Sequence, residues 1–125
     1  MTITALVIPA TSAPFMVELP KSDPAAALRT VVGGWIEGVY GTTRAGEPVT
    51  IYINEDGKGR GLPANATATL LWRYLNQGTV IADELVGTAV VLGASGCDEA
   101  DIPADAMHAA LALHRALSEV PLNLT

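Results

Sequence analysis

The chain reads as an α+β domain: a small mixed or antiparallel sheet of about five strands, with two to three helices packed mainly on one face. Three observations carry this reading. Short β-branched or alternating runs occur at residues 2–8, 15–19, 35–40, 48–54 and 85–92. Runs with helical spacing or capping signals fall between and after them. The 125 residues leave room for one domain, 1–125, and half of them are apolar with only 16% charged, which favours a packed core over disorder.

Each element has a local cause. Thr2–Ile8 is β-branched and ends at Pro9; residues 15–19 alternate and end at Pro20, so the two make an antiparallel hairpin across a short loop. Ser22 or Asp23 caps a helix with Pro24 in its first turn, and Gly33-Gly34 stops it. Residues 35–40 then place Trp35, Glu37 and Val39 on one face and Ile36, Gly38 and Tyr40 on the other. Val49, Ile51 and Ile53 share one face of Pro48–Asn54, and 41–47 joins these two strands as a hairpin.

Residues 54–59 are dense in turn formers, and a helix follows, capped by Asn65 or Thr67, with Leu70, Leu71, Tyr74 and Leu75 as its apolar face. The strongly apolar 85–92 run is expected at the sheet centre, with Gly87 marking a bulge or a close backbone approach. A final helix over 103–117 spaces Met107, Ala110, Leu111, His114 and Leu117 along one side.

Composition excludes several classes. A net charge of −6 is unfavourable for general nucleic-acid binding, which depends on cations displacing counterions from phosphate. The single cysteine, Cys97, allows no internal disulfide and fits a reducing compartment. The apolar N-terminus lacks a basic region and is interrupted by Pro9, so it reads as a strand rather than a signal peptide. No apolar run approaches the roughly 18 residues of a membrane span. A cytoplasmic protein without membrane contact is the expectation.

The usual catalytic constellations are poorly represented. His108 and His114 lie on one helix but about 120° apart around it, so they do not chelate one metal as an i, i+4 pair can. Cys97 with His108 lacks a third orienting residue. The carboxylate pairs Glu55-Asp56, Asp83-Glu84 and Asp98-Glu99 read as solvated loop faces. Asn54-x-Asp56-x-Lys58 begins like a calcium loop, but Lys58 stands where an oxygen ligand belongs. No metal and no cofactor are expected.

More informative are Gly57, Gly59 and Gly61, which alternate with Lys58 and Arg60 ahead of a helix. Such a loop can aim backbone N–H groups and two cations at an anion, although it matches neither a Walker A nor a dinucleotide fingerprint. The ordinary reading of this stretch is a β-turn with solvated basic residues. The second candidate is Gly33-Gly34-Trp35-Ile36-Glu37, where Trp35 could stack on a base; its ordinary reading is a helix stop before a core tryptophan.

Three segments carry a family resemblance: GGWIEGVY, INEDGKGRGLPANATATLL and ADELVGTAVVLG. Together they resemble a phage and bacterial domain of unknown function, number three-eight-four-six. The matching residues are Gly33, Gly34, Trp35, Ile36 and Glu37, then Asn54, Glu55, Gly57, Lys58, Gly61, Leu62, Pro63, Asn65, Ala68 and Thr69, then Asp83, Val86 and Gly87. The A-T pair of the pattern aligns at either Ala66-Thr67 or Ala68-Thr69. The resemblance covers roughly residues 30–93 and implies a small accessory protein of a phage or mobile element, with no established activity.

The leading expectation is a non-enzymatic module that sequesters a small anionic host molecule, with a cyclic nucleotide immune signal as the foremost class. Gly57, Lys58, Gly59 and Arg60 would hold phosphate, Asn54 and Asn65 would bond ribose or base, and Trp35 would stack. Glu37, Thr67 and Thr69 complete the ligand-binding set, and a homo-oligomer is expected. Two alternatives stand beside it. One is a protein-binding inhibitor of a host enzyme, in one form a DNA mimic, its acidic surface meeting a basic target; it predicts acidic residues clustered on one face and no pocket beside Lys58. The other is a nucleotide-acting enzyme with Glu37 or Glu55 as general base.

Overall fold

The computed structural model describes residues 1–119; the end of the expected domain, 120–125, lies outside them. The element order is β1 (Thr2–Ile8), β2 (Phe15–Pro20), α1 (Pro24–Val32), β3 (Ile36–Thr42), β4 (Pro48–Asn54), α2 (Ala66–Tyr74), β5 (Ala89–Ser95), β6 (Asp98–Ala100) and α3 (Ala104–Ser118). The strands form one sheet in the order β2-β1-β5-β4-β3, and β6 adds to β5. Every ladder is antiparallel. The α+β expectation is met, with β6 as the strand beyond the five foreseen.

Helices cover both faces unequally. On one face α2 and α3 pack on Leu6, Ile8, Val49, Ile51, Ile53 and Val91. On the other, Leu28 and Val32 of α1 pack on Ile3, Ala5, Val7, Val90 and Leu92. This double cover is why β1 and β5 read as nearly continuous apolar runs: both sets of alternating side chains are buried. The edge strand β3 and its neighbour β4 keep a visible alternation in sequence.

Capping follows the residue chemistry. Asp23 accepts from the Ala26 N–H at 3.2 Å, and Gly33 ends α1 at φ +81°, where a side chain would be strained. Asn65, rather than Thr67, caps α2.

One strand start and one helix face differ from expectation. The strand expected over 85–92 begins only at Ala89, because Gly87 turns at φ +75° and brings the chain against Leu62. Before it, Val86 bridges Ala64 and Gly87 donates to the Pro63 carbonyl at 2.8 Å. In α3 the inward residues are Ala106, Met107, Ala110 and Leu113, while Leu111 faces out at 39% exposure. The two buried alanines are what lets α3 lie close against α2.

Candidate functional site

Residues 54–62 form a compact loop that closes on itself. The Asn54 carbonyl accepts from Gly57, the Asp56 carbonyl from Arg60, the Lys58 carbonyl from Gly61 and the Gly57 carbonyl from Leu62, all between 3.0 and 3.1 Å. The N–H groups of Gly57, Arg60 and Gly61 are therefore consumed within the loop. Gly57 is buried, and a Cβ there would stand 2.9 Å from Val86. Lys58, Gly59 and Arg60 are exposed.

The amides of Asn54 and Asn65 are equally committed. Asn54 is 3% exposed; its Nδ2 donates to the Val32 carbonyl at 3.2 Å and its Oδ1 accepts from the Asp56 N–H at 2.8 Å. Asn65 is 1% exposed; its Oδ1 accepts from the Ala68 N–H at 3.0 Å. Its Nδ2 donates to the carbonyls of Ile8 at 2.8 Å and Gly87 at 2.9 Å. Thr69 Oγ1 donates to the Asn65 carbonyl and accepts from the Leu85 N–H at 2.9 Å. These side chains stitch strand, helix and loop together.

The same stitching places the 81–87 segment. Arg73 on α2 reaches the carbonyls of Ile81 at 3.1 Å and Asp83 at 3.3 Å. Asp83 then pairs with Lys58, and both side chains remain more than half exposed. Hydrogen bonding to Lys58, then to the Glu84 N–H, holds the Asp83 carboxyl below the usual carboxylate range.

Between this segment, β3, β4 and α2 opens a cleft of about 360 Å³. Val39, Ile53, Trp72, Leu85 and Val86 give it apolar walls. Its polar lining is Glu37, Asn54, Glu55, Lys58, Asp83 and Glu84, so four acidic residues share it with one lysine. Of the expected ligand-binding residues, Glu37, Asn54 and Lys58 meet here. Asn65 and Thr69 are buried outside the lining, and Thr67 faces a separate cleft beside Pro9 and His114.

Trp35 is not in this cleft. It is 69% exposed, and the Arg29 guanidinium lies 5.3 Å from its ring centroid. Arg60 joins the same region by donating to the Gly33 carbonyl at 3.0 Å. The expected phosphate pair is thereby split, with Lys58 at the acid-lined cleft and Arg60 at the end of α1. Glu84, which lines the cleft, carried little signal in sequence; Trp72, an aromatic on the helix that follows the glycine loop, and Asp83, the first matching residue of the third segment, carried more.

Among the described residues no helix is long and apolar enough to cross a membrane, and no group of three or more His, Cys, Asp or Glu side chains could hold a metal. No curated protein and no solved structure matches the chain. The family described as a domain of unknown function, DUF3846, matches residues 1–114, and the chain belongs to that family.

Proposed function

We propose that this protein is a non-catalytic binding module whose cleft receives a cationic side chain, lysine or arginine, of a protein partner. In that reading it is a small phage-type accessory protein acting in the cytoplasm of a bacterial host, where it blocks an enzyme with a basic surface; it departs from the inhibitor expected from sequence in having a cleft beside Lys58. The observation that carries this is the cleft's lining: Glu37, Glu55 and Glu84 line it beside apolar walls, while Lys58 is already paired with Asp83. A lysine or arginine has the matching halves, an aliphatic stem for Val39, Trp72 and Val86 and a charged head for the rim. General-base catalysis is less well served, since Glu37 and Glu55 are both exposed to water.

Titration with N-acetyl-arginine methylamide and its glutamate counterpart, followed by the Trp72 indole N–H resonance, tests this. The arginine probe should saturate near millimolar concentration, about −4 kcal/mol, and the glutamate probe should leave the resonance unmoved. The opposite preference sinks the proposal.

A second reading keeps the sequestered anion, with a cyclic nucleotide as its foremost form. What favours it is the exposed Trp35 ring with Arg29 against it and Arg60 anchored nearby. A base would stack on Trp35 while the arginines meet phosphate. Retention of an intact nucleotide by the native chain, and its loss in Trp35→Ala and Arg60→Ala, is the expected outcome of that reading.

A further inference from the structure

Among the described residues three strands pair with one neighbour only: the edge strands β2 and β3, and the three-residue β6, after which Ile102 at once bonds back to Thr4 of β1. On β3, Thr42 donates outward to the Leu75 carbonyl at 3.0 Å, and Asn76 Nδ2 reaches the Tyr40 carbonyl at 2.8 Å. Trp35 accepts on the opposite side, from Glu55. In a strand, residues two apart present their backbone groups to the same side. The outward residues are therefore Ile36, Gly38, Tyr40 and Thr42, and only the far end of the edge is covered.

At Ile36 and Gly38 the outward N–H and C=O groups have no partner among the described residues. Glu37 and Val39, which alternate with them, line the acid-rimmed cleft. The Tyr40 and Tyr52 rings stand over Gly38 on the sheet face where its side chain would project, which leaves its edge-facing backbone groups open. The β2 edge differs: it exposes Phe15 and Met16, ends at Pro20, and engages Glu18 with Thr2 at 2.8 Å. Residues of β2 are absent from the lining of this cleft.

We infer that the partner docks as an extended basic segment, adding a strand to β3 at Ile36–Val39 so that a lysine or arginine of that segment enters the cleft. This deepens the cationic-side-chain reading and rests on it. Main-chain bonds to Ile36 and Gly38 give register, and the carboxylates select the charge. The open stretch of four residues spans about 13 Å, so the recognised segment is short. A second copy of this chain is disfavoured as occupant, because it would bring Glu37 of one edge toward the acid rim of the other.

The test uses an acetylated, amidated octapeptide alternating valine with arginine, titrated into the intact protein. It should bind about tenfold tighter than the single-residue arginine probe, the worth of one or two net hydrogen bonds. At saturation the Gly38 amide should exchange about tenfold more slowly. N-methylation of alternate peptide amides, which leaves the protein untouched, should abolish both gains. Gly38→Pro should abolish the affinity gain while leaving the arginine probe bound. Saturation of the Trp72 signal with unchanged Gly38 exchange, or equal binding of the methylated peptide, overturns strand addition while the cleft reading stands. Failure of the arginine probe itself removes the cleft reading, and strand addition falls with it.

Discussion

Lys58 and Asn65 belong to one stretch of sequence, yet the fold uses them in opposite ways. Asn65 is 1% exposed, with its amide shared among the Ala68 N–H and two carbonyls from distant segments. Lys58 stands in solvent with a single exposed carboxylate as its partner. A buried polar group whose capacity is filled by the backbone is part of the framework. An exposed one beside an apolar cleft remains available to a ligand. The family-like motif is thus two things: a folding signature in Asn54, Asn65 and Thr69, and a candidate site in Glu37, Lys58 and Asp83.

Substitution should separate the two groups by size of effect. Asn65→Ala removes the cap of α2 and strands the Ile8 and Gly87 carbonyls, for a cost of about 3 kcal/mol. Thermal denaturation should show a loss of roughly 10 °C or more. A loss of only a degree or two would erase the distinction drawn here. Asn54→Ala should cost about 1–2 kcal/mol, since it frees the Val32 carbonyl and the Asp56 N–H at a less central place. Urea unfolding gives that value directly. Lys58→Ala should stay within about 0.5 kcal/mol of wild type by the same method, as exposed ion pairs contribute little.

The smallest effect concerns a carboxylate outside the motif. Glu99 on β6 accepts from Tyr52 Oη at 2.9 Å, and its other oxygen is buried without a partner. Burial pushes its pKa above the usual carboxylate range, and the Tyr52 hydrogen bond only partly offsets this. Between the unfolded and folded values the native state holds the extra proton. Stability from this group is therefore full at low pH and declines as pH rises through the folded value. Glu99→Gln should melt slightly higher than wild type at pH 7, with the difference closing below about pH 4. A lower melting temperature at pH 7 would show that the ionised Glu99–Tyr52 pair is net stabilising.

Much of the fold was legible because strand and helix signals were local. Pro9, Pro20 and Gly33 marked ends, and alternation in β3 and β4 gave their faces. The three-residue β6 was hidden in a polar turn segment, and Gly87 displaced the start of β5 by a positive φ that hydropathy does not register. The family was legible too, although its match extends beyond the 30–93 region that the three motifs cover. The site was only half legible. Lys58 and Arg60 are adjacent in pattern but diverge in space, because the loop between Asn54 and Leu62 closes by its own hydrogen bonds. Glu84 reaches the cleft only through tertiary placement of the 81–87 segment by Arg73, which no local spacing announces, whereas Trp72 lines it from α2 itself.

The central claim, that the cleft selects positive charge, is tested most directly by titrating N-acetyl-arginine methylamide into wild type and Lys58→Ala side by side. Removing Lys58 frees Asp83 and withdraws the only ammonium from the lining. The variant should bind the arginine probe roughly threefold more tightly, the scale of one exposed charge interaction. Weaker binding by the variant would contradict the account, because Lys58 would then be contributing to recognition rather than opposing it.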